Sequence, residues 1–202
     1  MLVAGPAQAA NAASLKTSSR CYVVGQPITL SGNGFAGSRE YVVTDDGVYF
    51  GEAKTTSSGR FVSKIRPGGL GADVIQQSEQ LEASDGTSLA DTSFTLTRAT
   101  GARFLSTKGR PNSLTSPFQV WGMSLNGARR TVYLHYVSPS GAPVDTVTLG
   151  STTGACGYLE TKSRRVFPFT PTVGDWIFQI DTNKTYSAHP AGAWARIRVG
   201  VG

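Results

Sequence analysis

Short apolar runs rich in β-branched and aromatic residues alternate with polar positions along this chain of 202 residues. The runs recur at intervals of about 8 to 12 residues, and clusters of Gly, Pro, Asn, Asp and Ser separate them. Alternation with a period of two predicts half-buried β-strands, because successive side chains of a strand point to opposite faces of a sheet. Regular turn spacing is typical of antiparallel sandwiches, so the sequence predicts an all-β fold.

Seven strands are predicted in each half of the chain. Those of the first half lie near residues 15–24, 27–32, 39–44, 48–53, 59–66, 73–82 and 90–98. Those of the second half lie near residues 102–107, 116–122, 129–137, 143–149, 157–166, 175–181 and 192–201. The pair Asp46-Gly47 predicts a tight hairpin, because both residues tolerate the positive φ angles that such turns need.

Two stretches of the sequence are similar at a domain-sized distance. Residues 31–44 align without a gap on residues 121–134, with two glycines, an arginine and a valine identical. Residues 58–61 fall on residues 156–159 after an insertion of eight residues. A repeat of about 90 to 100 residues has the size of a domain rather than of a solenoid unit. The sequence therefore predicts two tandem copies of one domain.

The predicted boundaries are residues 14–98 for domain 1 and residues 102–202 for domain 2, with a very short linker between them. Residues 1–13 end near the small-residue pattern Ala7-Gln8-Ala9, which is typical of the end of a secretory signal. We interpret this stretch as a signal-peptide remnant or a flexible leader, and we expect an exported protein. No run of 18 apolar residues occurs, so no membrane span is predicted.

The arrangement of strands and turns resembles that of bacterial immunoglobulin-like domains. The resemblance rests on seven short strands per copy, on the glycines Gly32 and Gly37 after the second strand, and on Ser58-Gly59-Arg60-Phe61 at the start of the fifth. The cysteine, tryptophan, cysteine signature of antibody domains is absent. The resemblance implies two tandem immunoglobulin-like β-sandwich domains in a secreted or surface protein, with a spacer, adhesin or interaction role and no catalysis.

Each predicted domain contains one cysteine, Cys21 or Cys156, so a disulfide inside either domain is excluded. An immunoglobulin-like order of strands would bring both cysteines toward the junction of the two domains. We therefore expect a disulfide between the domains, which would fit an oxidising compartment. Two separate buried thiols are the alternative.

The charge is unevenly distributed between the halves. Residues 14–98 contain 8 Lys or Arg against 9 Asp or Glu, whereas residues 99–202 contain 11 against 4. A basic domain suits an acidic protein surface or an anionic wall polymer or glycan. We expect a protein partner, self-association or such a polymer, and we do not expect nucleic acid. A solvated surface that only keeps the protein soluble is the alternative.

Domain 2 also carries 12 of the 19 aromatic residues, more than one sandwich core readily holds. We expect Trp176 and Trp194 in the core. Aromatic rings beside cations would suit a partner surface or sugar rings. The predicted partner-binding residues are Trp121, Arg129, Arg130, Tyr133, Lys162, Arg164 and Arg165.

No spacing of nucleophile, base or metal ligands stands out, so no enzyme, cofactor or metal site is predicted. His135 falls within a strand and His189 in a loop, where ordinary structural or solvent-facing histidines are the default. Asp45 and Asp46 could join Asp73 or Asp91 as calcium ligands. We interpret the hairpin aspartates as turn formers instead.

The function predicted from the sequence is that of a non-enzymatic secreted or cell-surface protein with a structural or interaction role. Domain 1 would be a spacer and domain 2 would contact the partner. The protein could be part of a filament, a lattice or a virion surface. The alternative is a carbohydrate-binding module that uses the aromatic residues of domain 2.

Overall fold

The structure is a computed structural model that describes residues 12–106 and 109–202. Within these ranges the chain forms strands and turns and contains no helix, so the prediction of an all-β fold is confirmed. Accordingly, no helix among the described residues is long and apolar enough to cross a membrane. The predicted leader, residues 1–13, falls almost wholly outside the described ranges.

The strands of the first half match the predicted ones except that the first predicted strand, residues 15–24, is split into two strands of different sheets. They are β1 (Ser14–Thr17), β2 (Cys21–Val23), β3 (Ile28–Asn33), β4 (Glu40–Asp45), β5 (Val48–Lys54), β6 (Phe61–Ile65), β7 (Gln76–Ser84) and β8 (Leu89–Thr97). The hairpin between β4 and β5 has positive φ angles at Asp46 (47°) and Gly47 (81°), as predicted.

In the second half two of the predicted strands are each split in two. The strands are β9 (Gly101–Phe104), β10 (Thr115–Ser116), β11 (Phe118–Trp121), β12 (Thr131–Val137), β13 (Pro143–Ser151), β14 (Leu159–Glu160), β15 (Arg164–Arg165), β16 (Gly174–Asp181) and β17 (Trp194–Val201). Proline contributes to one split, because Pro117 lies between β10 and β11 and donates no backbone hydrogen bond.

The described chain divides into two compact units. The first unit contains residues 12–19, 25–68 and 78–94, and the second contains residues 20–24, 69–77 and 95–202. These units interleave along the sequence, whereas the sequence prediction divides the chain once, between residues 98 and 102. Two short segments from the first half therefore belong to the second unit.

The two sets of strands share one order. In the first half the sheets run β1-β3-β6 and β2-β8-β7-β4-β5, and in the second half they run β9-β11-β14 and β17-β16-β12-β13. Strand for strand the connections agree, with β2 as an addition that pairs in parallel with the last three residues of β8. The small pair β10-β15 is an addition in the second half. This order is what a repeated domain requires.

The core of the first unit depends on alternation and on one close contact. In β3, Ile28 and Leu30 are fully buried while the residues between them are partly exposed. The ring of Phe61 stacks on Tyr41 with centroids 3.8 Å apart. Gly32 leaves the space for Phe61, because a Cβ at this glycine would collide with the phenylalanine ring.

The core of the second unit is mostly aromatic. The ring of Phe178 lies 4.8 Å from that of Tyr136 and 4.9 Å from that of Phe167, both nearly edge to face. Such geometry adds about 0.5 to 1.5 kcal/mol per pair to the burial of apolar area. Trp176 is buried in this cluster, as predicted, and its indole N–H donates a hydrogen bond to the carbonyl of Thr172.

A threonine with the same hydrogen bonds occurs in both units. The backbone N–H of Thr55 donates to the carbonyl of Arg39, and the hydroxyl oxygen of Thr55 accepts from the N–H of Arg39. Thr152 makes both bonds with Arg130, at 2.8 and 2.9 Å. Both threonines are buried, and each ties the loop before one strand to the end of its hairpin partner.

A glycine follows each of these threonines in a matching position. Gly59 and Gly157 both have positive φ angles, 71° and 66°. Their carbonyls accept hydrogen bonds from the N–H groups of Phe35 and Met123 respectively. A Cβ on either glycine would collide with the backbone of the loop that it contacts. The similarity of residues 58–61 to residues 156–159 therefore marks one recurring loop geometry. The gapless alignment of residues 31–44 on residues 121–134 is out of register, because the threonine bonds equate Arg39 with Arg130 and not with Arg129.

Cys21 and Cys156 form a disulfide, with Cα atoms 5.2 Å apart. The predicted bond is confirmed, and it joins segments 135 residues apart in sequence. Both cysteines belong to the second unit, because residues 20–24 group with residues 95–202. The bond therefore fixes β2 within the second unit instead of joining the two compact units.

Candidate functional site on the four-stranded sheet

The outward face of the sheet β13-β12-β16-β17 carries two rows of aligned side chains. Strand pairing places Tyr133, Asp181 and Trp194 in one row. His135, Gln179 and Arg196 form the next row. The rows face outward because the intervening residues of β12 and β16, including Leu134, Phe178 and Ile180, point into the core.

Residues 182–193, which connect β16 to β17, contact this face. The carbonyl of Asn183 lies 3.1 Å from Nε2 of His135, and the ring of Tyr186 lies 5.7 Å from the imidazole. The carbonyls of Ser187 and Ala188 accept hydrogen bonds from Gln179 and Arg196. We call residues 182–193 the covering segment.

His135 is completely buried, and its contacts fix its tautomer. Nε2 faces two acceptors, the carboxylate Oδ1 of Asp181 at 3.3 Å and the carbonyl of Asn183 at 3.1 Å. Neither partner can donate, so Nε2 carries the proton. The other nitrogen, Nδ1, lies 2.9 Å from the hydroxyl of Thr146, which donates to it in the neutral ring. His135 is thus a structural strand histidine, held on both sides of its ring.

Asp181 and Gln179 extend this buried network toward the edge of the sheet. Oδ1 of Asp181 also accepts from the backbone N–H of Asn183, and Oδ2 accepts from Nε2 of Gln179. That amide group also donates to the carbonyl of Ser187. Its orientation is therefore fixed, and Oε1 of Gln179 is directed at Arg196, whose Nε and Nη2 donate to it at 3.1 and 2.9 Å.

Arg196 holds an exposed tryptophan in place. Its Nη2 donates a further hydrogen bond to the carbonyl of Ala188, so the guanidinium is anchored to both the sheet and the covering segment. The guanidinium carbon lies 4.9 Å from the ring centroid of Trp194, which is 41% exposed. Such a contact is worth about 0.5 to 1 kcal/mol at an exposed site. Arg198 continues the exposed row on β17.

The prediction that Trp194 lies in the core is wrong. Trp194 is the first residue of β17, where Ala195 and Val201 are the buried positions and the exposed positions alternate with them. Because Trp194 has the same strand parity as Arg196 and Arg198, it faces solvent with them. The alternation of arginine with apolar residues in the sequence is the signal that identifies this side of the strand.

Two predicted partner-binding residues lie on or beside this face. Tyr133 is half-buried in the row of Asp181 and Trp194. Arg164 lies beyond β13 and donates a hydrogen bond to the carbonyl of Thr148, which is the pairing partner of Tyr133. The structure thus brings these two residues to one end of the row.

The other predicted partner-binding residues are dispersed over the second unit. Trp121 lies on the other sheet, β9-β11-β14, and its indole N–H donates a hydrogen bond to the carbonyl of Ala99. Arg130 lines a cleft of about 720 Å³ together with residues 191–193 at the end of the covering segment. The remaining three are exposed side chains outside the rows, namely Arg129, Lys162 and Arg165. Their role in binding stays a prediction.

The first unit carries a group of carboxylates at the hairpin of β4 and β5. The ligand atoms of Asp45, Asp46 and Glu79 lie within 4.8 Å of one another, whereas Asp73 and Asp91 are not part of the group. Burial, followed by the charges of Asp45 and Asp46, raises the pKa of Glu79 to about 7. Glu79 therefore binds a proton in part near neutral pH. The turn-forming role of Asp46 accounts for its positive φ.

No protein-family model matches this chain, and no curated protein matches it.

Proposed function

We propose that this chain is a non-enzymatic, exported interaction protein built from two immunoglobulin-like β-sandwich domains. The shared strand order and the recurring threonine and glycine loop support the two domains. The disulfide between Cys21 and Cys156 supports an oxidising compartment, in which the protein is secreted or attached to a cell surface. The second unit makes the contact with a partner, and the first acts as a spacer.

The observation that carries this proposal is the anchored, exposed Trp194. An exposed tryptophan normally loses rotamer freedom on binding, which reduces affinity. Here Arg196 restricts the ring beforehand, and the buried Gln179 restricts Arg196. Preorganised aromatic and arginine side chains are the types that dominate binding energy at protein interfaces. We therefore assign the contact surface to Trp194, Arg196 and Arg198.

The chemistry of this surface favours an anionic partner. Arg196 and Arg198 are exposed and adjacent on β17, and Asp181 is completely buried, so Asp175 opposite Gly200 is the one exposed carboxylate that β16 adds to this face. An acidic protein patch or an anionic wall polymer would meet both cations and the indole ring. A second copy of the chain in a filament, a lattice or a virion surface can supply such an acidic patch. A carbohydrate partner, held on the aromatic ring alone, is the alternative.

The test is retention of the full chain on purified bacterial cell wall and on beads coated with wall teichoic acid. Trp194→Ala and Arg198→Ala each remove one side chain of the surface. Tyr49→Ala is the matched control, because Tyr49 is an exposed aromatic residue on β5 of the first unit. We expect each of the two variants in the second unit to weaken retention about tenfold or more, and the control to retain wild-type binding.

Salt and free sugar separate the two partner classes. Retention that falls steeply as salt rises supports the contact with an anionic polymer, since exposed charges are screened over about 8 to 10 Å at physiological salt. Retention that resists salt but is abolished by free sugar supports the carbohydrate alternative. Equal retention of wild type, Trp194→Ala and Arg198→Ala would contradict the assignment of this surface.

A further inference from the structure

A second polar surface of the second unit lies on the sheet β9-β11-β14, away from the rows of Trp194 and Arg196. Strand pairing places Gln119 opposite both Arg103 and Glu160, so the three side chains cross the sheet in one line. Nε of Arg103 donates to Oε1 of Gln119 at 2.7 Å. Nε2 of Gln119 then donates to Oε2 of Glu160 at 3.0 Å.

Tyr158 completes this line. Its hydroxyl donates to the same Oε2 of Glu160 at 2.6 Å. The hydrogen bonds to Tyr158 and Gln119 hold the pKa of Glu160 below its usual range, and burial together with the bond to Glu160 raises the pKa of Tyr158 to about 12. At neutral pH the carboxylate is therefore charged and the phenol is a neutral donor. We call these four side chains the ladder.

The opposite wall of this surface is a loop that one arginine holds rigid. Arg98 donates from Nη2 to the carbonyls of Gly71 and Ala72, and from Nε to the carbonyl of Val74. Its backbone N–H donates to the carbonyl of Ile75. A connecting segment bound four times by one residue is fixed in place without a ligand. Preorganisation of this kind lowers the entropic cost of binding.

Residues 73–76 and three side chains of the ladder, Arg103, Gln119 and Tyr158, line a groove of about 390 Å³. This volume lies within the range of about 300 to 1,000 Å³ that is typical of small-molecule sites. The hydrogen bonds of the ladder leave binding capacity unused. The two terminal nitrogens of Arg103 take no part in these bonds, and Asp73 lies at the other wall.

The charges of the groove favour a neutral ligand. Its lining contains one carboxylate, Asp73, and one guanidinium, Arg103, so the two charges balance and neither an anion nor a cation is favoured. Closely spaced donors and acceptors beside a tyrosine ring instead match the alternating hydroxyl groups of a sugar ring. We propose that the groove between residues 73–76 and the ladder binds a single neutral sugar residue. This site is independent of the Trp194 surface, since the two share no residue.

The proposal is tested by NMR titration of the full ¹⁵N-labelled chain with glucose, galactose, mannose and N-acetylglucosamine, each up to about 50 mM. At least one sugar is expected to give saturable shifts confined to the amides of residues 73–76, 103, 119 and 158–160. Glu160→Gln removes the charge that accepts both ladder bonds, and it should weaken binding about tenfold. Glu40→Gln, the same exchange at an exposed residue of the first unit, should leave the titration unchanged.

Three results would overturn the proposal: no saturable shifts with any of the four sugars, shifts of equal affinity in Glu160→Gln, or tighter binding of glucuronate than of glucose. If Glu160→Gln also alters amide signals outside the groove, the variant has disturbed the fold. Arg103→Gln, which removes the opposite end of the ladder, then takes the place of Glu160→Gln in the comparison. Trp194→Ala should leave the titration intact. A failure here is therefore distinct from a failure of the contact surface on β17.

Discussion

The two units share an order of strands and differ in the connection between their last two. In the first unit four residues, 85–88, join β7 to β8, and Asp85 closes the turn by accepting from the N–H groups of Thr87 and Ser88. In the second unit the covering segment of residues 182–193 joins β16 to β17 and lies against the sheet. The covering segment therefore lies against the outward face of the sheet in the second unit, whereas the corresponding connection in the first unit is only a short turn.

The polarity of the two faces follows from this difference. On β4 of the first unit Val42 is 37% exposed and pairs with Ser84, which is half-buried. On β12 and β16 of the second unit, His135 and Gln179 are completely buried. Buried polar groups are tolerated only when they are hydrogen-bonded, and the carbonyls of the covering segment supply the partners. The covering segment therefore allows a polar network that anchors an exposed tryptophan.

The largest expected effect is loss of the disulfide, which belongs to the second unit alone. Cys21→Ser combined with Cys156→Ser should destabilise that unit by about 3 to 5 kcal/mol, because the bond closes a long loop. The measurement is urea unfolding followed from the amide NMR signals of Leu134, with Leu30 as the signal of the first unit. A loss of stability at Leu30 as large as at Leu134 would contradict the placement of the bond within the second unit.

The next effect comes from the network under the covering segment. Asp181→Ala removes the acceptor of the Asn183 N–H and one of the two acceptors of both His135 and the Gln179 amide, and it should cost the second unit about 3 kcal/mol. Ser84→Ala is the matched control on β7, where the side chain makes one exposed hydrogen bond to Gly86. We expect a change below about 0.5 kcal/mol there. Similar costs for both variants would show that the faces do not differ.

The recurring loop predicts a matched pair of smaller effects. Gly59→Ala and Gly157→Ala each force an L side chain into a positive φ and into a neighbouring backbone, and each should destabilise its own unit by about 2 to 3 kcal/mol. Gly154→Ala has a positive φ but open space around the new Cβ, so about 1 kcal/mol is expected. If Gly157→Ala is no worse than Gly154→Ala in urea unfolding, the close contact is not constraining.

The smallest effect is a fall of stability between pH 4.5 and 7 that only the first unit should show. The pKa of Glu79 is raised to about 7 from 4.5, so the folded state binds more protons than the unfolded state between these values. The contribution of Glu79 should therefore be fully present at pH 4.5 and be lost as the pH rises to about 7, by about 1 kcal/mol after screening by solvent. Urea midpoints at Leu30 should show this slope, and Glu79→Gln should remove it. A slope that persists in the variant would assign it to other groups.

Local patterns in the sequence predicted most of the strands, since alternation and turn residues act over a few positions. The hairpin at Asp46-Gly47 and the pairing of Cys21 with Cys156 were predicted correctly, although that bond was expected to join two domains. Other contacts between distant segments were not predicted. Asp181 and His135 are 46 residues apart, and their pairing follows from strand register, which the sequence leaves open. The grouping of residues 20–24 with the second unit is of the same kind.

Trp194 shows how one local choice decides a functional interpretation. Hydrophobicity alone places a tryptophan in the core, but strand parity with Arg196 and Arg198 places it outside. The predicted partner-binding surface consequently included Tyr133 but omitted Trp194, Arg196 and Arg198 on β17. The ladder was missed for a different reason, because Gln119, Glu160 and Arg103 come from three strands that no short motif connects.

The most direct test of the central claim is the retention of Trp194→Ala on cell wall and on teichoic acid beads, measured beside Tyr49→Ala. Our account predicts that the variant in the second unit is retained about tenfold more weakly than wild type, while the variant in the first unit is retained like wild type. Retention lost with Tyr49→Ala and kept with Trp194→Ala would place the contact in the first unit and contradict the account.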